Sequence, residues 1–392
     1  MNALERFKLR RQRRHEGRYF DYSLLVVVIF LIGFGLLMVF SASSYESTLS
    51  FGDSTYYLKR QSIAVLFGAA AMAFTTIAPY KVWQKFPYWV YYGAACLLLF
   101  LLLVPGLGVE RNGATRWLRM FGGLNLQPAE VAKLCMIIFY AKFITQYNYL
   151  TKSWKGLGVL FGSVFPIAAL IYFISDNLSS AIIVFGIVFC MIFVSAEDRK
   201  KVWVIIGGLT ATIGLIVGGI LLFVNPDSTV SFRFRRIFAW IHPENYADGV
   251  GFQTLQSLYA IGSGGVFGKG LGASMQKLNY IPEAQNDMIF SIICEELGFV
   301  GGLAVIALFI VMFWRFMVIC NNTKDLFGAL IVVGVMAHFS IQVILNIAVV
   351  TNLIPNTGIS LPFISYGGSS MMFLMGEIGL VLSVAKGIRF DD

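Results

Sequence analysis

Charged residues are scarce in this sequence of 392 residues: Asp, Glu, Lys and Arg together account for 13%, and hydrophobic residues for 57%. In a typical soluble domain about 25% of the residues are charged. The mean hydropathy is +0.74, and the long apolar runs are closely spaced and interrupted by glycine. The composition therefore excludes an ordinary soluble domain and indicates a polytopic helical membrane protein.

Cysteine is also rare, and the five cysteines form no C-x-x-C pair and no cluster with histidine. Neither a disulfide framework nor a zinc site is indicated, so the cysteines are expected to be buried small hydrophobic residues. The sequence has no Walker A motif and no dinucleotide-binding glycine pattern, so no nucleotide cofactor is expected. A cleavable signal peptide is not apparent, because the first apolar run is of spanning length and lacks a small-residue cleavage site.

Ten apolar segments come close to the ~20 residues that a helix needs to cross the hydrocarbon core. They cover roughly 22–41, 61–78, 89–104, 130–146, 158–174, 178–194, 202–224, 288–314, 328–350 and 363–386. The predicted fold class is therefore an all-α polytopic membrane protein with about ten transmembrane helices.

The basic residues predict the orientation of these spans. Seven of the first 20 residues are Lys or Arg, which places the N-terminus in the cytoplasm, and an even number of spans returns the C-terminus to the same side. We predict a basic cytoplasmic tail at 1–21 and a single transmembrane domain at 22–390, with a large extracytoplasmic loop at 225–287 between spans 7 and 8. The net charge of +9 lies at membrane edges, so no nucleic-acid partner is expected.

Two predicted outer loops depart from this charge rule because both carry clustered basic residues. These are Arg111, Arg116 and Arg119 after span 3, and Arg233, Arg235, Arg236, Lys269 and Lys277 in the long loop. Two interpretations stay open: binding of an anionic molecule, or contacts with lipid headgroups and loop acids. The long loop also holds a glycine-rich segment at 262–272, which is either a phosphate cradle or, with more weight, a flexible loop.

The stretch 280–298 places an acid, Asp287, where a polar loop meets the start of a hydrophobic helix. A carboxylate near a membrane boundary is costly to desolvate and is by default a functional candidate. Pro282 ends any helix that enters from the loop, so a new helix is expected to begin just after it. Asp287 could equally be a capping residue of that helix, and the spacing alone does not separate the two roles.

Polar residues inside the spans form a second group of candidates. Glu130 and Lys133 are three residues apart and share a helix face, either as a structural clasp or as a pair that faces a water-filled cavity. His338, Gln342 and Asn346 form a polar stripe that indicates hydrogen bonding between helices. The segment 354–370 combines two prolines with several glycines and hydroxyls, and such broken backbone at membrane depth is expected to line a cavity.

Four motifs together resemble those of the SEDS proteins (shape, elongation, division and sporulation), the polytopic peptidoglycan glycosyltransferases of bacteria. They are NGATRWL at 112–118, QPAEVAK at 127–133, PEAQND at 282–287 with EELG at 295–298, and LPFISYGGSS at 361–370. The resemblance extends from the first span to the last. The residues at the motif positions are closer to those of the division and sporulation members than to those of the elongation members. The sequence departs from the family around 175–177, so no role is carried over to Asp176.

The resemblance implies polymerisation of lipid II into glycan strands at the outer face of the plasma membrane, with Asp287 as the catalytic residue. It implies that Arg60, Arg116 and Lys133 hold pyrophosphate or orient the acid, with Glu130 holding Lys133. The remaining predicted substrate-binding residues are Glu283, Ser365, Tyr366, Gly367, Gly368 and Ser369.

The resemblance also implies partners and a possible cofactor. The expected partners are a class B penicillin-binding protein, which is a transpeptidase, and other division proteins. A divalent cation, Mg²⁺ or Mn²⁺, on the pyrophosphate is plausible, although no ligand cluster is visible in the sequence. Two other functions stay open: a lipid II flippase that uses the same cavity, and a non-catalytic division scaffold.

Overall fold

The structure is a computed structural model that describes residues 20–111, 113–119, 125–223, 232–247, 249, 251–278 and 280–388. Most of the predicted N-terminal tail, at 1–19, lies outside the described residues, as do the side chains of Arg111, Arg233 and Arg235. The protein is mostly helical, as predicted.

The described residues form fourteen α-helices and one small sheet. The helices are α1 (Tyr22–Phe51), α2 (Tyr56–Ile77), α3 (Lys81–Lys85), α4 (Tyr88–Phe100), α5 (Pro128–Gln146), α6 (Trp154–Gly162), α7 (Phe165–Ser175), α8 (Leu178–Ser195), α9 (Arg199–Phe223), α10 (Phe232–Ile241), α11 (Phe252–Gly264), α12 (Ile289–Asn322), α13 (Leu326–Val350) and α14 (Gly368–Ala385). Short 3-10 turns cover Leu101–Leu103, Asn148–Lys152 and Pro243–Tyr246.

A helix occupies each of the ten predicted positions. Seven helical segments are long and apolar enough to cross a membrane: α1, α2, Trp154–Ser175, α8, α12, α13 and α14. The segment Tyr88–Leu103 is apolar but shorter, and α5 carries three charged residues, Glu130, Lys133 and Lys142. The protein is therefore a multi-pass membrane protein, while the count of ten spans and the sides of the termini stay predictions.

Local sequence fixes several helix ends. The side chain of Asp21 caps α1 by accepting a hydrogen bond from the backbone N–H of Leu24 at 2.9 Å, and Asp325 caps α13 in the same way through Gly328 at 2.9 Å. Such caps satisfy backbone donors that the first turn of a helix leaves unpaired. At its other end, α1 stops at Gly52, whose left-handed backbone (φ 71°) is a common helix terminator.

The small antiparallel sheet was not predicted by the all-α interpretation. It consists of β1 (Gly108–Arg111), β2 (Ala114–Arg119) and β3 (Asn125–Leu126), in the order β1-β2-β3. The sequence did contain a signal for it, because Asn-Gly at 112–113 is the strongest short-range mark of a tight hairpin. Gly113 has the positive φ, 75°, that such a turn requires.

The glycine-rich segment at 262–272 packs backbone to backbone against a kink in α12. The kink lies at Gly298, which has φ 70° and ψ −170°. The N–H groups of Lys269 and Gly270 donate to the carbonyls of Glu295 and Glu296, at 3.0 and 2.9 Å. Both expectations for this segment are therefore wrong: these N–H groups bind helix carbonyls rather than a phosphate, and the segment is tied to the bundle.

Two ion pairs to buried glutamates reinforce the same junction. Lys269 Nζ lies 2.7 Å from Glu295 Oε1, and Lys277 Nζ lies 2.8 Å from Glu296 Oε1. Both glutamates are fully buried, and Ser41 of α1 donates a further hydrogen bond to Glu296 at 2.7 Å. These two lysines therefore pair with acids of the protein, which was the second interpretation of the basic long loop.

Candidate functional site

A cavity of about 660 Å³, lined by both polar and apolar side chains, opens between α2, the β-sheet, α5, α8, α13 and the start of α14. Seven of the predicted site residues line it: Arg60, Glu130, Lys133, Tyr366, Gly367, Gly368 and Ser369. These residues come from three separate parts of the sequence, so the fold brings together what the motifs had only suggested. The segment 354–370 does line a cavity, as its broken backbone predicted.

One wall of the cavity holds the buried ion pair of α5. Lys133 Nζ lies 2.7 Å from Glu130 Oε1, and the exposed fractions of the two side chains are 0% and 6%. Pro128 begins α5, and the backbone N–H of Gln127 donates to Ser369 Oγ at 3.3 Å. The start of α5 is thereby fixed against the start of α14, with both charged groups at the cavity.

The start of α14 forms part of the cavity wall. Gly367 and Gly368 line it, and α14 has no acidic residue in its first turn. The first backbone N–H groups of a helix carry partial positive charge and suit an anion. Gln61 supports this turn by accepting from the N–H of Gly367 at 3.1 Å and donating to the carbonyl of Ser365 at 3.3 Å.

Arg60 adds an accessible cation to the same cavity. Its side chain is exposed, and the guanidinium lies over the ring of Tyr56 with its central carbon 4.8 Å from the ring centroid. A guanidinium held by an aromatic face keeps its donors directed outward, which suits bidentate contacts with phosphate. Arg60 and the start of α14 therefore give the cavity groups that suit an anion, while Lys133 lies there paired with Glu130.

Asp287 lies directly beside the cavity. It is not itself part of the wall, but Asn286 and Gly358 are. A Cβ placed on Gly358, where φ is 66°, would lie 3.7 Å from Asp287 Oδ2. Gly358, a residue of the cavity wall, therefore lies directly against the Asp287 carboxylate.

Asp287 does not cap the helix that follows it. Helix α12 begins at Ile289, its N-cap is Met288, and the cap makes no side-chain hydrogen bond. Instead, Gln253 Nε2 donates to Asp287 Oδ1 at 3.4 Å, and Asn346 Nδ2 donates to the Asp287 carbonyl at 2.7 Å. The capping interpretation is therefore wrong, and the side chain is available for another role.

The pKa of Asp287 is raised from 3.8 to about 6. The largest cause is burial, which disfavours the charged form, and the nearby carboxylate of Glu283 raises the pKa further. Arg236 and Gln253 act in the opposite direction. A carboxylate with a pKa near 6 is ionised at neutral pH yet basic enough to accept a proton from a hydroxyl during a reaction.

Three predicted site residues lie away from the cavity wall. Arg116 donates to the carbonyls of Ser175 and Asp176 at the end of α7, at 3.3 and 3.0 Å. Ser365 is buried, and its Oγ accepts from the N–H of Leu361 at 2.7 Å. Glu283 accepts from Asn286 Nδ2 at 2.6 Å, one turn before Asp287. The substrate roles assigned to these three stay predictions.

Several residues around the site were not identified from sequence. Gln61, Gln253 and Asn356 are single amides outside any motif, and only their hydrogen bonds reveal them. Two residues of the polar stripe of α13, His338 and Asn346, bond to other elements, as predicted. His338 Nδ1 lies 2.8 Å from Glu377 Oε2 of α14.

The fold and the cavity together define a multi-pass membrane protein with a cavity that carries Arg60 and Lys133 beside a carboxylate of raised pKa. The family model described as a cell cycle protein, for FtsW, RodA and SpoVE, matches residues 22–389. The chain therefore belongs to this family, as the resemblance indicated.

Curated relatives and solved structures agree with this assignment. Stage V sporulation protein E of Bacillus subtilis is 39% identical, over 94% of this chain and 98% of its own length. A probable peptidoglycan glycosyltransferase FtsW of Trichlorobacter lovleyi is 34% identical, over 94% of each chain.

Among solved structures, a chain described under "Structural coordination of polymerization and crosslinking by a peptidoglycan synthase complex" has a TM-score of 0.76 and 24% identity. It covers 95% of this chain and 99% of that one. The RodA protein of Thermus thermophilus has a TM-score of 0.64 and 25% identity, over 95% of this chain and 98% of its own.

Proposed function

We propose that this protein is a peptidoglycan glycosyltransferase that polymerises lipid II into glycan strands at the outer face of the bacterial plasma membrane. The observation that carries the proposal is the position of Asp287, a carboxylate with a pKa near 6, beside a cavity that holds Arg60, Lys133 and a helix start. Curated relatives named as probable peptidoglycan glycosyltransferases support the enzyme class.

Each of these groups has a different part in the reaction. Asp287 accepts the proton of the acceptor sugar's 4-hydroxyl as the hydroxyl oxygen forms a bond to C1 of the donor sugar. The bond between C1 and the pyrophosphate oxygen breaks at the same time, and undecaprenyl pyrophosphate leaves with the electron pair. Arg60, Lys133 and the backbone N–H groups at the start of α14 stabilise the charge on the leaving pyrophosphate. One base is sufficient, because a pyrophosphate leaves without being protonated.

We propose separately that a divalent cation binds to the pyrophosphate of the substrate. Among the described residues no group of three or more His, Cys, Asp or Glu side chains is placed to hold a metal ion. Mg²⁺ commonly binds through one or two carboxylates together with substrate phosphates, so any ion here would depend on the pyrophosphate.

We also propose a class B penicillin-binding protein and other division proteins as partners. The support is that a structural neighbour comes from a peptidoglycan synthase complex in which polymerisation and crosslinking are coordinated. The relatives include both a sporulation protein and proteins of the FtsW type, so septal synthesis is the context that we propose.

The test is polymerisation of purified lipid II in liposomes by the wild type and by Asp287→Ala, each with its penicillin-binding partner. Glu244→Gln is the matched control, because Glu244 is an exposed acid in the same long loop. We expect glycan strands from the wild type and the control and none from Asp287→Ala. If the wild type moves lipid II across the membrane without joining it, the flippase interpretation replaces this one. If Asp287→Ala makes strands as the wild type does, Asp287 is not the base. If none of the proteins joins or moves lipid II, the scaffold interpretation replaces this one.

A further inference from the structure

A chain of oriented amides leads from the cavity wall to Asp287. Asn356 Oδ1 accepts from the N–H of Gly358 at 3.1 Å, so its Nδ2 is left to donate, and it donates to Gln253 Oε1 at 2.9 Å. Gln253 must then present its own Nε2, which donates to Asp287 Oδ1 at 3.4 Å and to the Pro282 carbonyl at 3.3 Å. Each amide thus fixes the orientation of the next, because its oxygen is already occupied.

Helix α10 holds the far end of this chain. Arg236 Nη1 donates to the carbonyl of Asn356 at 3.2 Å. Trp240 Nε1 donates to the carbonyl of Asn352 at 3.1 Å, and Asn352 Nδ2 returns a bond to the Trp240 carbonyl at 3.2 Å. These bonds join α10 to the segment that carries Asn356.

We propose that Gln253 is a positioning residue for Asp287: its amide, oriented by Asn356, holds the carboxylate against the cavity and favours the ionised form. The N–H donor stabilises a negative charge more than a neutral carboxyl. This inference rests on the proposed function only in taking Asp287 to be the base. The charged groups that act on Asp287 are Glu283, on the same turn, and Arg236, on α10. The partners from α11 and α13, Gln253 and Asn346, are neutral amides.

The test titrates Asp287 without relying on catalysis. Infrared difference spectra across pH contain the carbonyl stretch of a protonated carboxyl, and the band that Asp287→Asn removes belongs to Asp287. In the wild type its midpoint is expected near pH 6. Gln253→Leu removes the donor and is expected to raise the midpoint by about 0.5 pH unit. Gln253→Glu keeps the size but adds a negative charge, so its upward shift should be larger.

Gln256→Leu is the matched control, because Gln256 lies three residues further along the same helix and is half-buried. Its midpoint should equal that of the wild type. Asn356→Ala should give an upward shift smaller than that of Gln253→Leu, and it serves if a Gln253 variant fails to fold. An unchanged midpoint in Gln253→Leu, or in Asn356→Ala where the former does not fold, would overturn the proposal.

Polymerisation measured on the same proteins separates the two proposals. If the midpoints shift but even the wild type makes no strands, the proposed function fails and the positioning role stands. If the wild type makes strands and the Gln253 variants keep both the midpoint and the pH profile of the wild type, the positioning role fails alone. If the Gln253 variants change both the infrared midpoint and the pH profile of polymerisation, the acid limb of that profile should move to higher pH together with the midpoint.

Discussion

At the scale of single residues, the carboxylate of Asp287 loses hydration in its position beside the cavity, which disfavours its charged form. Burial and the neighbouring Glu283 raise its pKa to about 6, against the opposing effects of Arg236 and Gln253. A group placed for chemistry in this way usually costs folding stability, because its charged form is poorly solvated in the native state. The cost can be measured separately from the activity.

Asp287→Asn is expected to be more stable than the wild type at pH 7.5. An acid whose pKa is raised in the folded state binds its proton more tightly there, so its stability contribution is most favourable below pH 4 and is lost as pH rises through 6. The gain at pH 7.5 should be about 1–3 kcal/mol. Thermal unfolding in detergent measures it, with Glu244→Gln unchanged. A variant less stable than the wild type would show that Asp287 has a structural role.

The pair Glu130 and Lys133 allows a clasp to be distinguished from a substrate contact. Either Lys133→Met or Glu130→Gln leaves one buried charge without its partner, which should cost about 3–5 kcal/mol of stability. The double variant should recover much of that stability. If Lys133 contacts pyrophosphate, the double variant will still not polymerise lipid II. Activity and stability are measured on one preparation. If the double variant recovers both, the pair is only a structural clasp.

At the scale of elements, the sequence predicted the helices well because each depends on its own apolar run and local caps. It did not predict the packing of the glycine-rich segment against the α12 kink, since Gly268 and Gly298 lie far apart in sequence and meet only in the fold. The same holds for Gln253, whose role depends on partners about 30 and 100 residues away. Asp287 and the Glu130–Lys133 pair were identified because buried charge is conspicuous in an apolar sequence.

Gly264 and Gly262 provide a matched test of that packing, because both lie in α11. A Cβ on Gly264 would overlap the carbonyl of Cys294, whereas a Cβ on Gly262 meets nothing within 4 Å. Gly264→Ala should therefore lower the unfolding temperature markedly and weaken polymerisation. Gly262→Ala should be neutral or slightly stabilising, since alanine favours helix by about 1 kcal/mol. Equal unfolding temperatures for the two variants would contradict the described contact.

At the scale of the whole molecule, the described helices surround the cavity, and their outer surface carries many exposed apolar side chains. Side chains such as Leu66, Phe74 and Ile77 of α2 are 64–77% exposed, as expected of helices that face lipid. The opposite side of α2 packs on α14, where Thr75 Oγ1 donates to the carbonyl of Gly376 at 2.9 Å. The exposed apolar side of α2 and its side that packs inside the bundle are thus opposite each other.

The measurement that tests the account most directly is the pH dependence of lipid II polymerisation by the wild-type protein with its partner. If Asp287 is the base, kcat/KM should rise with pH through a midpoint near 6 and then level off. Asp287→Asn should lose the activity at every pH while it still folds and binds the partner. A rate that does not change between pH 5 and 7, or an Asp287→Asn variant with the wild-type profile, would contradict the account.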